Sequence, residues 1–88
     1  MANIRDLKKD INFVLGDIID AVYLWEALNP KEDRTKSEAI VDDAIATFDE
    51  LIVKVNNNKV GNRSKHLKEV NAELETKGRA LIERVNTL

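Results

Sequence analysis

The stretch NIRDLKKDINFVLGDIIDAVYLWEAL, residues 3–28, decides the fold. Its apolar residues Ile4, Leu7, Ile11, Val14, Ile18, Ala21, Trp25 and Leu28 recur at alternating steps of three and four, the spacing that gathers side chains onto one stripe of an α-helix with about 3.6 residues per turn. Asn3 is placed to cap the helix, and Asp6 falls in the first turn, where a negative charge complements the helix dipole. Asn29-Pro30 closes it, because the residue before proline is biased away from helical geometry and proline cannot continue the backbone ladder.

Two further helices follow from the same reasoning. Thr35-Lys36-Ser37-Glu38 has the form of a capping box, with Thr35 and Glu38 satisfying each other's backbone N–H groups. The stripe it opens is Val41, Ala44, Phe48, Leu51 and Val55, widened by Ile40, Ile45 and Ile52, and it predicts a helix over 35–56. Asn56-Asn57-Asn58 and the stretch to Gly61-Asn62 read as a loop. Asn62 or Ser64 then caps a third helix over 64–87, striped by Leu67, Val70, Leu74, Leu81, Val85 and Leu88. Asn71, Gly78 and Ile82 lie beside that stripe, and a glycine inside a helix points to a close helix contact. Asp49 to Val55 is β-prone in isolation but continues the helical stripe from Val41. Short connections make sequential helices antiparallel neighbours, so the expected fold is all-α: one domain, 1–88, folded as an up-down-up three-helix bundle.

Composition narrows the function classes. The chain of 88 residues has no cysteine, which removes disulfides and thiolate metal sites and accords with a reducing compartment. Met1 to Asp10 alternates charge with single apolar residues and does not read as a secretion signal, and no run approaches the roughly 20 apolar residues of a membrane span. The expectation is a soluble, cytoplasmic protein. The net charge is −2, but residues 1–57 carry seven Lys/Arg against twelve Asp/Glu and 58–88 carry seven against four. In a compact bundle such halves can attract each other.

Three segments, NIRDLKKDI at 3–11, DELIVKVNN at 49–57 and KHLKEVNAEL at 65–74, resemble in the same order segments of a family of short, uncharacterised, all-helical bacterial proteins. The resemblance implies a helical fold. It assigns no activity, ligand or catalytic residue to any position.

The candidate sites are few. Asp17 and Asp20, with Glu38, Asp42, Asp43, Asp49 and Glu50, have the look of metal-holding helices, but such sites need acids converging inward from several helices. The helical wheel points these outward, so they read as a solvated acidic face and no metal or cofactor is expected. His66 is the sole histidine and shows no partner at helical spacing. Lys59, Arg63, Lys65, His66 and Lys68 form a basic cluster able to meet phosphate. The cluster lacks interleaved aromatics in a net acidic chain, so nucleic acid is the less favoured ligand and a solvated surface the plainer reading. Phe13 and Leu24 fall outside the main stripe, on a strip shared with Asp6, Asp10, Asp17 and Asp20. Either the third helix covers them or they form a partner groove or dimer seam.

The resulting expectation is a non-catalytic helical module that binds another protein or a second copy of itself through Phe13, Asp17, Asp20 and Leu24. Behind it stand a small nucleic-acid-associated or regulatory protein using the basic start of the third helix, and a metal-dependent hydrolase built on the acidic helices.

Overall fold

The computed structural model describes residues 4–57 and 61–88. They form α1 (Ile4–Leu28), α2 (Thr35–Asn56) and α3 (Arg63–Asn86), each packed against the other two, with no strand among the described residues. Asp43 pairs with Arg84, Glu50 with Lys77 and Lys54 with Glu73, so numbers rise along α2 as they fall along α3. Those helices are therefore antiparallel. Val14 of α1 meets Gly78 of α3, while farther toward the C-terminal ends of both helices Trp25 shares a hollow with Leu88, so α1 and α3 run parallel. The expected all-α, up-down-up three-helix bundle is what the chain forms, 51 Å long and 19 by 17 Å across.

The core runs the length of the bundle. Leu7, Ile11, Leu15, Ile18 and Val22 come from α1, Ile40, Val41, Ala44, Leu51 and Val55 from α2, and Leu67, Val70, Leu74 and Leu81 from α3. The α1 stripe differs from the one expected. Leu15 and Val22 are buried, whereas Ala21 is exposed and Leu28 is 72% exposed. A strict seven-residue repeat averages 3.5 residues per turn and drifts about 20° per heptad against a straight helix. After three heptads the expected stripe has wound off the core, and the neighbouring positions have taken over. On α2, Phe48 and Ile52 are half-buried as flanks of the core, but Ile45 is 47% exposed, one step beyond the stripe.

The helix ends also depart from expectation in part. Asn29 closes α1 as expected: its backbone and side-chain N–H groups both donate to the Trp25 carbonyl at 2.9 Å. The Thr35–Glu38 capping box does not form. Instead Asp33 Oδ1 accepts from both the Thr35 backbone N–H (2.9 Å) and the Thr35 hydroxyl (2.7 Å). An aspartate bonding two residues ahead is a local turn of its own: it takes the Thr35 N–H that Glu38 would have accepted, while the Glu38 N–H donates to the Arg34 carbonyl at 2.8 Å. These bonds, the hydroxyl's first, lower the Asp33 pKa from its ordinary 3.8. Asn62, rather than Ser64, caps α3 through its side-chain oxygen and the Lys65 N–H at 3.0 Å. The expected cap Asn3, and Asn58 of the loop, lie outside the described residues.

Candidate interaction face

The face opposite α2 is formed by α1 and α3 lying side by side. Gly78 makes the approach close: a Cβ there would stand 3.1 Å from Val14 Cγ1. Around that contact the surface dips into two shallow hollows. One is floored by Val14, Ile18 and Ala21 against Ile82 and Val85, with Asp17 at its edge. The other lies between Asp10 and Phe13 on α1 and Asn71, Gly78 and Arg79 on α3.

Large apolar side chains stand at the rims. Phe13 is 57% exposed and Leu24 61% exposed, and across the groove Ile82 is 46% exposed. Helix α3 does not cover Phe13 and Leu24, because it packs along Val14 and Ala21, on the flank nearer the core. At 100° per residue Phe13 and Leu24 lie within about 20° of each other on the wheel, so they share a strip with Asp17 and Asp20. All four expected residues of this surface are thus brought together, and both aspartates are exposed. The Lys9 ammonium sits 6.0 Å from the Phe13 ring centroid, the outer limit of a cation–π contact. Arg79, Ile82 and Gly78 belong to the same face and were not singled out as a surface by the sequence. Only the glycine inside α3 pointed to it.

The basic cluster is not a single patch. Arg63, Lys65 and Lys68 are exposed on the first turns of α3, but Arg63 and Lys65 point about 200° apart around the helix. Lys59 lies outside the described residues. His66 has the partner that helical spacing hid: its Nε2 lies 2.7 Å from the Lys54 carbonyl oxygen on α2, across the loop. A carbonyl only accepts, so Nε2 carries the proton and donates. His66 fastens the start of α3 to the end of α2.

The acids divide as well. Asp42 and Asp49 are exposed, but Glu50 and Asp43 reach α3 and join the charges of the two halves of the chain. Lys54, Glu50, Glu73 and Lys77 form a closed network with contacts of 2.8 to 3.2 Å. Hydrogen bonds within it, from Lys54 and then Lys77 to Glu73, hold the Glu73 carboxyl below 4.5. Glu50 is lowered likewise, by Lys77 first and then Lys54. The ammonium groups of Lys54 and Lys77 are raised above 10.5, Glu73 contributing most to each. Among the described residues no three acids or histidines gather as a metal site would require.

Ser37 is the buried polar side chain that sequence reading missed. It is fully shut from water and donates to Glu26 Oε2 at 2.6 Å, with the Arg34 carbonyl 3.0 Å away. The signal was present: Ser37 lies one heptad before Ala44 and two before Leu51, on the stripe itself. No helix among the described residues is long and apolar enough to cross a membrane. Comparison with protein-family models, with curated proteins and with solved structures finds no match to the chain.

Proposed function

We propose that the protein is a non-catalytic helical interaction module that receives another polypeptide on the α1–α3 face. One observation carries the reading: Phe13 and Leu24 are each more than half exposed on a single strip of α1, about 16 Å apart along the axis at 1.5 Å per residue, beside an open apolar groove. Scattered apolar residues on a surface are ordinary, but a ridge flanking a groove and rimmed by charge is the composition of a recognition surface. The absence of cysteine accords with a cytoplasmic setting.

The test is a Phe13→Ser, Leu24→Ser double variant. Both side chains are exposed, so the variant should keep its helical circular dichroism and its melting temperature. It should lose whatever protein the wild type retains from its native cell, self-association included. A variant that retains the same partners as the wild type would remove the function from this face.

A further inference from the structure

The two banks of the groove carry different charge. On the α1 bank Asp10, Asp17 and Asp20 are exposed, and no ion pair among the described residues engages them. On the α3 bank Lys68 and Arg79 are exposed and no ion pair among the described residues engages them, and the exposed Glu75 is the acid that lines the groove beside them. A purely acidic groove would fit a basic helix. A groove with an acidic bank and a mainly basic bank is complementary to itself, which is what a two-fold symmetric contact requires, since the same patch must serve both sides.

From this we infer that the occupant of the face is a second copy of the chain, packed with its helices parallel about a two-fold axis that runs along the bundle, so that α1 of each copy lies over α3 of the other. This rests on the reading of the α1–α3 face as an interaction surface. Of the two ways to bring the faces together, an axis across the helices would set α1 on α1 and oppose Asp17 to aspartates. The axis along the helices sets the acidic bank against the basic one.

The register then follows. Val14 and Gly78 are level, so each α3 residue lies level with the α1 residue 64 positions earlier. Arg79 is level with residue 15, within a turn of Asp17 in the other copy, and Lys68 with residue 4, near Asp6. Glu75 is level with residue 11 and within reach of Lys9. Phe13 of one copy meets the hollow lined by Asn71, Arg79 and Ile82 of the other, whose floor is Val14 closed against Gly78. Helix α1, at 25 residues, is about 37 Å long, and two helices side by side span close to 19 Å. That face is roughly 700 Å², near the ~800 Å² each partner contributes to an interface of standard size.

The experiment is a charge swap read by sedimentation equilibrium. Arg79→Glu places acids on both banks, and Asp10→Lys with Asp17→Lys places bases on both. Wild type should be dimeric at roughly 100 μM, where micromolar affinities populate the complex. Each variant alone should associate at least ~10-fold more weakly, and an equal mixture of the two should restore a dimer, because both contacts are again opposite in sign. All substituted residues are exposed, and circular dichroism verifies folding. Orientation is tested independently, because the native chain has no cysteine. A mixture of Phe13→Cys and Arg79→Cys chains, whose positions lie within a turn of each other in this register, should cross-link on mild oxidation, whereas Phe13→Cys with Leu24→Cys should not. A monomeric wild type, unchanged self-association of the variants, or the reverse cross-linking pattern would each overturn the second-copy assignment. The interaction face itself would survive any of these if Phe13→Ser, Leu24→Ser still abolished retention of a different protein.

Discussion

Ser37 on α2 donates its hydroxyl proton to Glu26 Oε2 on α1, and this is the one polar side-chain contact between those helices among the described residues. It lies where the chain has just turned back, with Ser37 wholly buried and Glu26 half-buried. Ser37→Ala should destabilise the fold by about 1 kcal/mol, below the usual 1.5 to 3 for a bond to a charged group, because Glu26 regains water. Urea unfolding measures it. With Glu26→Gln already present the same substitution should cost less, and equal costs in both backgrounds would show that the two residues are not coupled.

Leu51 and Ile18 sit in the core from opposite helices, with Leu51 fully buried. Truncating either to alanine should cost about 2 to 5 kcal/mol, the usual range for a buried aliphatic side chain that leaves a cavity. Ile45→Ala and Leu28→Ala, at exposed positions of the expected stripes, should stay within about 0.5 kcal/mol of wild type. Reversed magnitudes in denaturant titrations would place the core elsewhere.

Gly78→Ala sets two effects against each other. Alanine gains up to about 1 kcal/mol of helix propensity, while its Cβ asks Val14 to move by a few tenths of an ångström. Val14 is only half-buried and has an open hollow on each side, so it can yield. The expected outcome is a small net gain, about 0.5 kcal/mol. Gly78→Leu cannot be accommodated that way and should cost about 1 to 3 kcal/mol by wedging α1 from α3. A destabilising alanine in thermal melts would mean that Val14 is locked.

The network of Lys54, Glu50, Glu73 and Lys77 sets a pH window. Glu73 and Glu50 are lowered below 4.5, so their contribution is complete above that value and is lost as pH falls through the lower folded pKa values. Lys54 and Lys77 are raised above 10.5, so theirs is complete below that value and is lost as pH rises through the higher folded values. Melting temperature should therefore be flat between roughly pH 5 and pH 10 as far as these groups contribute. Glu73→Gln should flatten both the acid and the alkaline decline, since Glu73 is the first partner of both lysines. A variant whose two declines match the wild type would show that the network adds nothing to stability.

Helices and their stops were legible because they depend on local spacing and on residues such as Asn29, Pro30 and Asn62. What each helix faces depends on residues far away. The α1 stripe was displaced because a repeat of seven drifts on a helix of 3.6, and only the packed neighbours show where the drift ends, hence the exchange of Ala21 and Leu28 for Leu15 and Val22. The cap of α2 departs from the motif because Asp33, two residues before it, takes the Thr35 N–H that Glu38 would have accepted. Exposure of Phe13 and Leu24 was half legible: the wheel set them off the stripe, but their cover depended on where α3 ran. Ile82 was set beside the α3 stripe and Arg79 carries no local pattern, and both join the face because α3 runs parallel to α1.

The polar contacts that bridge helices are distributed unevenly. Apart from the Ser37–Glu26 bond, every such side-chain contact among the described residues joins α2 to α3, through Lys54–Glu73, Lys77–Glu50, Arg84–Asp43 and His66 to the Lys54 carbonyl. Helix α1 is held almost wholly by apolar burial, which weakens on cooling, whereas the ion pairs on the other seam are screened by dissolved salt. The bundle is thus closed by unlike seams, apolar around α1 and ionic between α2 and α3. Cold should raise amide hydrogen exchange first in α1, and concentrated chloride first along the seam between α2 and α3, so that the two halves of one small core come apart in opposite order depending on the solvent.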